Sequence, residues 1–271
     1  TKNGLLKNMK MYCLSLNNSH LNTIKKMNYI PVGLGTDKFD MEWTRDNSGN
    51  NISHKNKFYG ENTFHYWIWK NHLKECFKEK WLGFCHYRRF WVKDPKISNF
   101  KDLKSNIIQE IPNEWNNYDV ILGNEYFVNQ TKISKIIKHG RKQLIKNPFV
   151  FFSRKTMTIK VHFDMYHGFG NLDKAIELLE VNDKNDFRNF VETEGSFNPF
   201  NMFICQSYKL LDDYYKTVFK WLEKCETEFG FDAKKDYGQI RIYAFLAERF
   251  LSYWFKKNSN FYKLHIKHFE I

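Results

Sequence analysis

A chain of 271 residues that is 42% hydrophobic, 18% aromatic and 27% charged can bury a substantial core, and that composition excludes an intrinsically disordered segment. Its 43 Lys and Arg against 30 Asp and Glu give a formal charge of +13, which favours phosphate in some form: nucleic acid, an anionic membrane surface or a phosphorylated small molecule. No apolar run reaches the roughly 18–20 residues that cross a bilayer, and Thr1 to Lys10 lack the apolar centre of a secretion signal, so a cytoplasmic chain, at most peripheral to a membrane, is expected.

Much of the basic excess is Lys set among Asn and Phe, a composition that AT-rich codon usage produces without selection for binding. Local clusters therefore carry more meaning than the total. The cysteines Cys13, Cys76, Cys85, Cys205 and Cys225 are scattered, form no CxxC pair and match no zinc spacing. They read as reduced thiols buried as small hydrophobes.

In chain order, Met11 to Leu16 reads as a first strand ending at Asn17, and Tyr29 to Leu34 as a second that closes on glycines. A polar, turn-rich loop follows from Asp46 to Lys57. A helix is expected over about Gly60 to Lys78, with Tyr59, Thr63, Tyr66 and Lys70 on one face. Trp81 to Tyr87 and Tyr118 to Leu122 are further strands, with a loop and a helix between them over Lys93 to Asn117. This alternation predicts an α/β nucleotide-binding sheet over residues 1–128, with ligands beyond the carboxyl ends of its strands.

Residues 129–271 read as a mainly helical region continuous with the same globule. Helices are expected over Lys132 to Lys146, Leu172 to Leu179, Tyr208 to Glu228 and Tyr237 to Phe255, with a short strand over Phe200 to Cys205. Lys256 to His268 reads as a solvated tail with a weak membrane-surface contact as the alternative.

Four clusters could carry chemistry. Asp46 to Ser53, with Lys55, Asn56 and Glu61, sets short polar side chains around Gly49, a suitable lining for base, ribose or phosphate. The same residues also suit a surface loop capped by Ser53 or Asn56. His86-Tyr87-Arg88-Arg89 follows an apolar strand, and paired guanidinium groups match a diphosphate by bidentate hydrogen bonds; the alternative is salt bridging to acidic loops. Trp67-Ile68-Trp69-Lys70 reads mainly as core, with Tyr66 and Lys70 able to face the polar loop. Glu248-Arg249, in an otherwise apolar helix, is either a structural ion pair or a held carboxylate acting as a general base.

No phosphate loop of the GxxxxGK[ST] or GxGxxG type, no GxSxG elbow and no Asp-x-Asp occurs. Manganese or magnesium is thus compatible with the chain but has no usual acidic clamp in it. Fixed positive charge from the His-Tyr-Arg-Arg run is expected to take over the neutralisation of a leaving diphosphate.

The run Pro31-Val32-Gly33, then Asp46 to Ser53 with Lys55-Asn56, Tyr59-Gly60-Glu61, Tyr66 to Asn71 and Gly83 to Arg89, resembles a bacterial glycosyltransferase family long known only as a domain of unknown function. Asn201 to Ile204 and Arg241 through Glu248-Arg249 extend the resemblance over most of the chain. It implies a GT-A-type fold, a place in capsular or exopolysaccharide synthesis and, through galactofuranosyltransferase-like relatives, a UDP-sugar donor, inversion, and a saccharide acceptor that includes lipid-linked forms. The chain departs from the pattern at Ala244, where Gly is usual, and at Asn171, where Asp is common, so no catalytic role falls to Asn171.

The expected donor site comprises Asn17, Asp46, Asn51, Ser53, Lys55, Tyr66, Lys70, His86, Arg88 and Arg89. Glu248 leads as catalytic base, followed by Asp236 and His167. The rival class is a basic nucleic-acid-binding protein, but the basic residues are dispersed and no such signature is present.

Overall fold

In the computed structural model, which describes residues 8–130, 145, 153, 156–234 and 236–271, an eight-stranded sheet runs in the order β3-β2-β1-β4-β5-β10-β6-β9. Its strands are β1 (Met9–Ser15), β2 (Ile30–Gly33), β3 (Thr44–Arg45), β4 (Trp81–His86), β5 (Arg89–Val92), β6 (Val120–Gly123), β9 (Phe203–Cys205) and β10 (Phe261–His268). β7 (Tyr126–Phe127) and β8 (Ser196–Phe197) form a separate antiparallel pair. β1 lies parallel to β2 and β4, so three carboxyl ends open on one rim.

Both faces of the sheet are covered, which is why β1 is almost continuously apolar. Tyr12 and Leu14 enter one cluster with Leu82, Phe84 and the helices of the second half, while Met9, Met11 and Cys13 enter another with Trp43, Trp81, Trp91 and Trp115. All five cysteines are free and buried. The fold is α/β and GT-A-like, as expected.

The helices are α1 (Leu21–Lys26), α2 (Asn56–Tyr59), α3 (Asn62–Trp67), α4 (Leu73–Cys76), α5 (Leu103–Asn106), α6 (Ile159–His167), α7 (Asn171–Glu177), α8 (Val181–Thr193), α9 (Tyr208–Phe229), α10 (Tyr237–Ile240) and α11 (Ile242–Asn258). The expected helix over Gly60 to Lys78 is α3 and α4 joined through a π-helical turn, Ile68–His72. The wider turn sends Trp67 to the Ser48 carbonyl at 2.9 Å and Trp69 to Asp212 at 2.9 Å on opposite sides. The α11 helix is apolar nearly all round and runs through the core, so its charged pair Glu248-Arg249 stands in apolar surroundings.

The strand expected over Trp81 to Tyr87 ends at His86, which pairs with Arg89; Tyr87-Arg88 form the tip of a tight β4–β5 hairpin, and Arg89 opens β5. One expectation is corrected. The stretch expected as a solvated tail contains β10, which lies between β5 and β6 inside the sheet. Tyr262, Leu264 and Ile266 alternate with Lys263, His265 and Lys267 and pack on the second cluster. The expected helix over Lys132 to Lys146 lies outside the described residues apart from Ile145. No helix among the described residues is long and apolar enough to cross a membrane.

Candidate functional site

A cavity of 760 Å³ opens at the carboxyl rim of β1, β2 and β4, within the range of small-molecule sites. Leu14 to Leu16 and Leu34 form its strand side, the hairpin tip His86 to Arg89 one wall, and Asn56-Lys57, Gly60-Glu61, Phe200-Asn201, Arg241 and residues of α10 and α11 the remainder. Its position follows from the topology, because parallel strands separated by crossovers leave a crevice at their carboxyl ends.

The hairpin presents two guanidinium groups held on aromatic faces. Arg88 lies over the Tyr87 ring at 4.7 Å and donates to its hydroxyl, and Tyr87 stacks on His20 at 5.0 Å. Arg89 lies over the Phe200 ring at 4.7 Å and donates to the Arg88 carbonyl at 2.9 Å. Neither guanidinium has a carboxylate partner among the described residues. Burial, and then the neighbouring Arg88 charge, hold the Arg89 pKa below its usual value. Arg88 feels only the Glu270 carboxylate through space, with no salt bridge, so two neighbouring guanidinium groups are left able to take an anion. Next to them His86 is held below the ordinary histidine range by burial, against the opposing pull of Glu61, so its imidazole is neutral.

Two carboxylates face the same space. Glu248 accepts the Phe200 N–H at 2.5 Å through Oε1 and pairs with Arg249 through Oε2. Burial raises its pKa in spite of Arg249, which favours a proton acceptor working nearer neutrality. Glu61 accepts from Asn201 Nδ2 at 2.8 Å and from Arg241 Nη2 at 3.1 Å. The Arg241 guanidinium lies across Gly60, where a Cβ would stand 2.1 Å from Nη2 and where φ is +56°. The backbone conformation favours glycine there, and any larger residue would also push the Arg241 guanidinium aside.

Behind Glu248, Arg249 is 2% exposed and lies over the Phe197 ring at 4.1 Å. Its Nη2 is 3.4 Å from both His162 Nδ1 and His167 Nε2. Burial first, and Arg249 second, push the His162 pKa down to about 3 and that of His167 well below the ordinary value. Both rings are thus neutral and offer lone pairs to the guanidinium.

Of the sequence-derived candidates, His86, Arg88, Arg89 and Glu248 meet in the cavity. His167 supports Arg249 and does not line it. Asp236 is exposed and caps α10 by accepting the Gln239 N–H at 3.1 Å. Asn17 caps the turn after β1, accepting the Ser19 N–H at 2.9 Å.

The polar loop is held partly from within, where Ser53 N–H and Oγ donate to Asn51 Oδ1 at 3.2 and 2.9 Å and Asn51 donates to the Gly49 carbonyl at 3.1 Å, and partly by Asn71, which accepts the Asn50 N–H at 3.0 Å and donates to the Asn50 carbonyl at 2.8 Å. Asp46 is buried, and desolvation raises its pKa against a hydrogen bond from Thr63. Lys55 pairs with Glu226 at 2.6 Å. Tyr66 packs edge-on against Phe219 at 5.1 Å, and Lys70 sits over Trp69 at 3.5 Å. The residues just named do not line the cavity; of the Asp46 to Lys57 loop and the cluster around it, Asn56, Lys57 and Glu61 do.

The cavity also contains Glu61, which the sequence grouped with the polar loop, and Phe200, Asn201 and Arg241, to which sequence reasoning assigned no role. Glu61, Asn201 and Arg241 stand inside the motifs that carry the resemblance, and that was their available signal. Among the described residues no three His, Cys, Asp or Glu side chains gather as a metal-binding group.

This arrangement of a mixed, largely parallel sheet with a cationic, carboxylate-bearing cavity at its carboxyl rim defines a GT-A-like α/β protein. The chain belongs to the family described as Domain of unknown function (DUF4422), whose model matches residues 10–259. No curated protein matches it. Among solved structures it is similar in fold to the apo structure of WbbM, a bifunctional glycosyltransferase, with a TM-score of 0.67 and 17% sequence identity. The superposition covers 97% of this chain and 45% of that one, so the chain spans less than half the length of the structure it matches.

Proposed function

We propose that the chain is a glycosyltransferase that moves a sugar from a nucleotide donor to a saccharide acceptor. The observation that carries this reading is the convergence, in one cavity, of two guanidinium groups without carboxylate partners and a buried carboxylate with a raised pKa. The GT-A-like fold supports it. In the proposed reaction an acceptor hydroxyl attacks the anomeric carbon, and the bond from that carbon to the phosphate oxygen breaks with its electrons passing to the diphosphate. Glu248 takes the hydroxyl proton, while Arg88 and Arg89 stabilise the charge developing on the leaving group. Attack opposite the departing diphosphate gives inversion.

The family resemblance makes a UDP-sugar, with a furanose among the candidates, the proposed donor, and a capsular or other surface saccharide, including lipid-linked forms, the proposed acceptor. Such an acceptor places the enzyme in the cytoplasm or at the inner membrane face. Manganese or magnesium would add positive charge at the diphosphate; the arginine pair supplies it from the chain itself.

A thermal-shift screen against UDP, GDP, CDP and their sugars tests the reading, because a ligand bound by the folded state raises the melting temperature by mass action. A rise with one nucleotide series names the donor class. No rise with any of them, at millimolar concentration, contradicts the proposal.

A further inference from the structure

Phe200 and Asn201 both adopt left-handed backbone conformations, with φ of +79° and +49°. A bulky residue there is a steric outlier, and such strain persists only where the surroundings over-determine it. Four contacts do so, and three of them end on a charged group of the cavity. The Phe200 N–H donates to Glu248 Oε1 at 2.5 Å, and the Phe200 ring carries the Arg89 guanidinium at 4.7 Å. The Asn201 amide nitrogen donates to Glu61 Oε1 at 2.8 Å and to the Ala244 carbonyl at 3.1 Å. Two acceptors around one nitrogen fix the orientation of the amide.

We infer that the Phe200-Asn201 turn is the positioning element of the active site, setting the leaving-group arginine on one side and the two carboxylates on the other. The inference rests on the glycosyltransferase reading. Its residues divide the work. The Phe200 ring faces Arg89, so it governs affinity for the diphosphate. The Asn201 amide braces Glu61 beside α11, so it governs the acceptor side and the rate of turnover. The α11 carbonyl of Ala244 ties that brace to the helix that bears Glu248.

The test uses the full chain, UDP for binding and UDP-galactofuranose for turnover. Phe200→Gly keeps the backbone conformation free of strain and removes only the ring; UDP affinity should fall about tenfold, and Phe200→Tyr should recover most of that loss. Asn201→Gly also tolerates the conformation; turnover should fall about tenfold with UDP affinity unchanged. Circular dichroism of each variant separates these effects from unfolding. A wild-type chain that binds no nucleoside diphosphate overturns the donor reading and the inference together. Wild-type binding and turnover that survive in both glycine variants, or losses of affinity and rate in equal measure in both, overturn the inference alone.

Discussion

Arg249 pairs with Glu248, the residue before it in the chain, although the guanidinium is 2% exposed and stands within an apolar helix. Adjacent helical residues do not normally face one another. Here the Phe197 ring and two neutral histidines hold the guanidinium where Glu248 Oε2 can reach it, so the pair is built from outside the helix. The carboxylate then faces the cavity and the arginine the core.

A buried ion pair of this kind is costly to break. Arg249→Met should destabilise the fold by about 3–5 kcal/mol, since it leaves Glu248 uncompensated in a desolvated position. Urea unfolding followed by circular dichroism measures this. A loss under about 1 kcal/mol would show that the pair contributes little.

Glu248→Gln keeps an oxygen for the Phe200 N–H but removes the proton acceptor. Sugar transfer should fall by about 100- to 10,000-fold, while nucleotide affinity changes little. In the wild type the acid limb of the rate profile should lie above the ordinary carboxylate range, because burial raises the Glu248 pKa. Turnover in the Gln variant within a few-fold of wild type would remove Glu248 from the chemistry.

Stability should fall in mild acid for an independent reason. Burial pushes His65 and His162 down to about 3 and His167 well below its usual value. Each is neutral when folded, whereas the unfolded chain binds protons as pH falls below about 6.5. Their stabilisation is therefore complete above that pH and is lost as pH falls towards the folded values, at up to about 1.4 kcal/mol per pH unit for each histidine. Urea midpoints at pH 7.5, 6.0 and 5.0 test the slope, and replacing His162 with Asn should flatten it. A midpoint independent of pH would contradict neutral burial.

The apolar framework was legible where pattern and burial coincide: β1, β2, β4, β6 and the long α9 follow from their runs of buried residues. Arg88 and Arg89 stood out because paired guanidinium groups next to an apolar strand need a purpose. The β10 strand was obscured by its Lys and His residues, although its period of two was present, and β5 was hidden because Arg89 opens it. The polar loop from Asp46 to Ser53 was ambiguous in sequence because Asn, Ser and Gly serve equally to bind a ligand and to satisfy a turn. The Phe200-Asn201 turn gave no warning, since neither residue is a glycine and its conformation is imposed by Glu248, Arg89 and Glu61, which are distant in sequence.

The central claim is that the hairpin arginines bind the donor diphosphate, and calorimetric titration of UDP into the wild type and Arg88→Ala tests it most directly. Truncation of Arg88 should weaken UDP binding about tenfold or more, as expected for a charge-assisted contact, and reduce transfer by about 100-fold or more. Wild-type UDP affinity and near-normal transfer in Arg88→Ala would contradict the account.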